Sequence, residues 1–224
     1  SSDRGLAGGI NAQVVRTALQ AATIPDASVR VVAFGKKAAD AFRRSPVARE
    51  RQGSRFTLAA VYTNPMRQPG VADIRPVARM AIDEFMAGTA DHVVIVWTDY
   101  VSAIVQKPVA RQILPMNRAM FERLASEAVN GENGGLETKL EYLFEPSPER
   151  VFAATLPRLV EVQLLQALLE ATASEHAARM VAMRNATDAA NDLMDDLTLT
   201  FNQARQAGIT QDLAEISASR AALS

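Results

Sequence analysis

The chain has 224 residues, 48% of them hydrophobic and 22% charged, and its 24 basic and 25 acidic side chains give a net charge of −1 and an isoelectric point near 6.2. That length supports a buried core without metal or disulfide staples, and the balanced charge provides no global attraction for nucleic acid or anionic lipid. The absence of cysteine excludes disulfides, thiolate metal sites and cysteine nucleophiles, and no run reaches the roughly 18 apolar residues of a membrane-spanning helix.

The opening Ser1-Ser2-Asp3-Arg4-Gly5 has neither the charged start nor the apolar centre of a signal peptide, so no export is expected. Asn11 to Thr23 carries apolar residues at helical spacing and stops at Pro25. Val29 to Phe34 is a β-branched run closed by Gly35, which predicts a buried strand, and Lys36 to Arg44 reads as the helix that follows it. Phe56 to Tyr62 is a second strand ended by a turn-rich segment, Asn64 to Gly70. Arg75 to Ala87 has helical spacing, with Pro76 expected in its first turn, and His92 to Trp97 is a third strand. An apolar run, Val101 to Val105, precedes a looser stretch whose Asn130 to Gly135 is the most loop-like in the chain. Leu140 to Glu145 returns as a strand. The alternation predicts a three-layer, Rossmann-like α/β domain over residues 1–157, with helices flanking a partly parallel sheet.

Residues 158–224 differ. They contain no proline and a single glycine, Gly208, while fifteen are alanine and ten leucine, both strong helix formers. A second domain consisting of one long helix is expected there. At about 1.5 Å per residue it would extend about 100 Å, far beyond a body whose radius of gyration is about 15 Å. From Met183 the positions Ala186, Ala190, Leu193, Leu197, Thr200, Ala204, Ala207, Gln211 and Ala214 follow in strict three-four spacing, as a coiled-coil seam does. Its small residues admit a closely approaching helix. No other segment of this sequence is long enough to be that helix, so the long helix is expected to form half of a coiled coil.

Candidates for chemistry are few. Gly5-Leu6-Ala7-Gly8-Gly9 before a helix has the character of a phosphate-cradling turn but lacks the Lys-Ser/Thr ending of a P-loop, which favours a structural turn. His92 and His176 lack a partner at i+4 for a helix-borne metal site, and no Gly-x-Ser-x-Gly elbow is present. Lys36, Lys37, Arg43, Arg44, Arg49, Arg51 and Arg55 concentrate seven bases against Asp40 and Glu50, yet no nucleic-acid module accompanies them, and a solvated face is the expected reading. Asp188, Asp192, Asp195 and Asp196 read as a charged flank without a calcium loop, and Met180, Met183 and Met194 as packing residues. No catalytic residue, cofactor or metal is expected.

The long helix also carries specific motifs. Ser174-Glu175-His176-Ala177-Ala178-Arg179-Met180-Val181-Ala182-Met183-Arg184-Asn185-Ala186-Thr187 resembles the signature of the gamma subunits of F-type ATP synthases. Phe201-Asn202-Gln203-Ala204-Arg205-Gln206-Ala207-Gly208-Ile209-Thr210-Gln211-Asp212 is similar to the C-terminal Tyr-Asn-Lys-Ala-Arg-Gln-Ala-x-Ile-Thr-Gln-Glu of that family, and Ser2 to Asn11 to its Ser-Asp-Arg-Gly-Leu-Cys-Gly-Gly-x-Asn. The resemblance implies a central-stalk rotor that couples ion flow through a membrane ring to ATP synthesis in the surrounding alpha and beta subunits, without catalysis of its own. It implies contacts of Arg205, Gln206, Thr210 and Asp212 with the beta subunits, of Tyr142, Phe144 and Glu145 with the membrane ring (the c-ring), and of the α/β body with the epsilon subunit. A peripheral position on the cytoplasmic face of a bacterial inner membrane, or the equivalent organellar face, follows from it. Members of the family carry an N-terminal helix and first strand ahead of Ser-Asp-Arg-Gly that this sequence does not contain, and that helix would complete the seam. Ala7 stands where the family has Cys, Asp212 where it has Glu, and the cysteine insert of plastid members has no counterpart. The alternative reading is a small-molecule-binding α/β domain with a C-terminal oligomerisation helix.

Overall fold

A computed structural model of the chain describes residues 1–23, 27–44, 56–63, 68–116 and 148–222. The elements in chain order are α1 (Ile10–Ala21), β1 (Val29–Phe34), α2 (Lys36–Arg44), β2 (Phe56–Tyr62), α3 (Val71–Met86), β3 (Val93–Tyr100), β4 (Gln106–Leu114) and α4 (Pro148–Ala222). The protein is a small α/β domain followed by a long C-terminal helix. Its contacts divide it into two units, Ser1–Arg179 and Met180–Ser224.

Within the first unit β1 pairs parallel with β2 and β3 pairs antiparallel with β4. Strand residues alternate between two cores, as a period of two requires. Val29, Val31 and Ala33 of β1 and Val96 of β3 pack with Val14 and Val15 of α1 and Ala38, Ala39 and Phe42 of α2. Phe34, Val93 and Ile95 turn the other way and meet Ile74 and Ala78 of α3 and Val160, Leu164 and Leu168 of α4. Strands therefore lie between two helical layers, each fully buried aliphatic side chain contributing about 1.5 to 3 kcal/mol.

The segment Ser1–Asp3 has a structural task. The first turn of α2 presents backbone N–H groups that its own helix cannot satisfy. Lys36 N–H donates to Asp3 Oδ1 at 2.8 Å, Lys37 N–H to the Ser2 carbonyl at 3.1 Å, and Ala38 N–H to Ser1 Oγ at 2.9 Å. Asp3 thus caps α2 from a distant part of the chain, its charge opposite to the positive helix end. Between β1 and α2, Gly35 has φ +91° and lies so close to the Ser1 carbonyl that a Cβ would collide with it. In the glycine turn ahead of α1, Gly8 and Leu6 both have left-handed φ, at 58° and 63°. Ala7 is buried there, a core position where the smaller side chain replaces the thiol of the resembling motif.

Three sequence expectations differ from the structure. α3 begins at Val71, so Pro76 is inside the helix rather than in its first turn; Gly70 N–H donates to Asp73 Oδ2 at 2.8 Å to start it. α4 begins at Pro148, and Pro157, read as the end of the domain, lies within it. Proline suits the first helical position because its missing N–H has no helical partner there. β4 was not anticipated: Val101–Val105 forms the connection after β3, and the strand follows it, with Pro108 opposite Thr98. The Asn130–Gly135 loop, the Leu140–Glu145 strand and Arg49, Arg51 and Arg55 lie outside the described residues.

Candidate functional site

The first part of α4 is anchored to β3 by side chains at successive turns. Trp97 Nε1 donates to Glu170 Oε2 at 2.6 Å, Gln166 Nε2 donates to Glu170 Oε1 at 2.9 Å, and the buried Ser174 Oγ donates to the Thr98 carbonyl at 3.2 Å. Arg111 covers the Trp97 ring at 5.2 Å from its centroid. Val160, Gln163, Leu164, Ala167, Leu168, Ser174 and Ala177 are buried. Both amide atoms of Gln163 are without a partner among the described residues. Glu175 and Arg179 pair at 2.6 Å, and His176 between them is exposed. Within the 174–187 motif, Ser174 and Ala177 thus serve docking, and Glu175 and Arg179 form an ion pair along the helix.

From Met180 onward the side chains are exposed almost without exception. The seam residues Met183, Ala186, Ala190, Leu193, Leu197 and Ala204 are all exposed, Leu193 and Leu197 each 59% so. Fully burying a leucine is worth about 1.5 to 3 kcal/mol, and more than half of that area at Leu193 and Leu197 is left uncovered by the described residues. The seam is not the whole apolar surface. Ile209, Leu213 and Ile216, also exposed, follow one another at four and three residues along a different line of the helix, and Leu199 and Phe201 add two more exposed apolar groups. A heptad search tuned to one seam passes over them; plotting large apolar residues by helical angle would have found the second line. A helix with large apolar side chains on more than one side has need of contacts from more than one direction.

The residues expected to meet beta subunits do not form one cluster. Gln206 and Thr210, four apart, share a face, while Arg205 and Asp212, seven apart, share another. All four are exposed, and Thr210 Oγ1 is turned back to the Gln206 carbonyl at 2.9 Å. Tyr142, Phe144 and Glu145, expected at the membrane ring, lie outside the described residues. Among the described residues no three of His, Asp and Glu gather as a metal site, Asp188, Asp192, Asp195 and Asp196 included, and no helix is long and apolar enough to cross a membrane.

A family model described as ATP synthase matches residues 1–223. The chain is 40% identical to the ATP synthase gamma chain of Roseiflexus castenholzii over 99% of its own length and 70% of that protein, and 38% identical to the gamma chain of Moorella thermoacetica, covering 100% of this chain and 71% of the relative. It superposes on a chain of the rotor of Euglena gracilis mitochondrial ATP synthase with a TM-score of 0.60 at 23% identity, covering 93% of this chain and 72% of that one, a likeness of fold. The chain belongs to the ATP synthase gamma chain family.

Proposed function

We propose that the chain is the central-stalk rotor of an F-type ATP synthase, transmitting torque between an ion-driven membrane ring and the alpha and beta subunits that make ATP, with no chemistry of its own. In this reading residues 1–157 form the body and 158–224 the shaft. The observation that carries it is the exposure, in a chain of this family, of large apolar side chains on more than one side of the helix after Met180. A rotor inside a ring meets different subunits on different faces in turn. A second helix would cover the small-residue seam through Met183, Ala186, Ala190, Leu193, Leu197 and Ala204, completing an antiparallel coiled coil. The line through Ile209, Leu213 and Ile216 and the two polar pairs Arg205 with Asp212 and Gln206 with Thr210 would then face beta subunits.

By family resemblance, Tyr142, Phe144 and Glu145 would meet the membrane ring, and the body would carry the epsilon subunit. The working position is peripheral, on the cytoplasmic face of a bacterial membrane or its organellar equivalent. Fusing the N-terminal helix that the family resemblance implies ahead of Ser1 and mixing the product with alpha and beta subunits provides the test. The expected outcome is an assembly whose ATP hydrolysis turns a bead attached to the body. Alpha and beta subunits that neither bind the fused chain nor change their hydrolysis in its presence would overturn the reading.

A further inference from the structure

The helical part of the basic stretch borders a feature the rotor reading does not use. α1 and α2 leave between them an open, shallow groove of about 630 Å³. Ala12, Val15 and Leu19 of α1 and Ala41 of α2 supply its apolar lining, and the exposed Arg16 and Lys37 line it as well. The two helices together carry Arg16, Lys36, Lys37, Arg43 and Arg44 against Asp40 alone, in a chain whose net charge is −1. Asp40 lies 3.8 Å from Arg43, so it does not neutralise the groove, and neither Arg16 nor Lys37 has an ion-pair partner among the described residues.

An occupant of this groove must offer apolar groups to its lining and negative charge to Arg16 and Lys37. We propose that the groove docks an acidic amphipathic segment of a partner protein, with its apolar side chains between α1 and α2 and its carboxylates against Arg16 and Lys37. Single-stranded nucleic acid is disfavoured because the lining holds no aromatic ring on which a base could stack. A bilayer is disfavoured because the large apolar lining groups are recessed, Val15 buried and Leu19 half-buried, whereas a membrane-seeking helix presents them outward. The inference rests on α1 and α2 alone and stands whether or not the chain acts as a rotor.

Fluorescence anisotropy of the full chain with a labelled helix-forming peptide, leucine at alternating third and fourth positions and glutamate elsewhere, tests it. Saturable binding is expected, weakened at least about tenfold by the double variant Arg16→Glu, Lys37→Glu and by Ala12→Glu, which places a carboxylate in the groove. All three positions are helical, and Ala12, Arg16 and Lys37 are exposed, so these variants are expected to keep their circular dichroism spectra. Salt at about 0.5 M should weaken binding relative to about 0.1 M by shortening the screening length. Equal binding by a peptide with lysine in place of glutamate, or by a glutamate-serine peptide without leucine, would overturn the proposal. So would binding that the three substitutions leave unchanged, since the exposed helix beyond Met180 would then be the receptor. Displacement of the peptide from the groove by oligouridine or by phosphatidylglycerol vesicles at lower concentration than unlabelled peptide would assign it to a nucleic acid or a membrane instead.

Discussion

Residues 148–179 and 180–222 are consecutive stretches of one helix, both rich in alanine, and they are held by opposite means. The earlier stretch buries Val160, Leu164, Ala167 and Leu168 and donates and accepts hydrogen bonds with β3. The later stretch leaves Leu193, Leu197, Phe201, Ile209 and Leu213 exposed, and its hydroxyl groups turn back to their own helix, as Thr187, Thr198, Thr200 and Thr210 do. Helix propensity is common to both, but in proteins most helical stability comes from packing an apolar face. The contrast teaches that the first stretch is stabilised by its own chain, whereas the second finds no cover for its large apolar side chains among the described residues.

Substitutions can break or sharpen that contrast. Leu164→Ala removes a buried side chain between α4 and α3 and is expected to cost about 2 to 5 kcal/mol in chemical denaturation of the first unit. Gly35→Ala, which forces a side chain into a left-handed position against the Ser1 carbonyl, should cost about 2 kcal/mol in the same measurement. Asp3→Ala removes the remote cap of α2 and should cost about 1 kcal/mol, with Asp3→Asn recovering part of it. Gln163→Met runs the other way: removing a buried amide with no partner among the described residues should stabilise the chain by about 1 kcal/mol. Leu197→Ala is expected to change the stability of the isolated chain by less than about 0.5 kcal/mol, and to weaken assembly with alpha and beta subunits.

Much of the fold was legible where punctuation and periodicity agree. β1, α2 and β2 have the bounds that the β-branched run Val29 to Phe34, Gly35 and the turn-rich segment after Tyr62 predict. β4 was hidden because Lys107, Pro108, Arg111 and Gln112 dilute its apolar pattern, and proline ordinarily argues against a strand. Its pairing with β3 and the burial of Ile113 outweigh that local preference. Pro157 lies inside α4, although a proline inside a helical pattern usually marks its boundary, and the α4 packing that begins with Val160 lies just beyond it. The seam is an expectation from spacing, and its residues are exposed in the structure. The second line through Ile209, Leu213 and Ile216 was not expected, because a single-seam reading assigns one face to one partner. The role of Ser1–Asp3 as a cap for α2 could not be read at all, since the residues it joins are more than thirty positions apart in the chain.

Amide hydrogen exchange of the free chain and of the chain mixed with ATP synthase alpha and beta subunits tests the central claim most directly. The account predicts that residues 160–177 are protected in both samples, while residues 180–222 exchange rapidly alone and become protected in the mixture. Equal protection of the two stretches in the free chain, or residues 180–222 left unchanged by the added subunits, would contradict it.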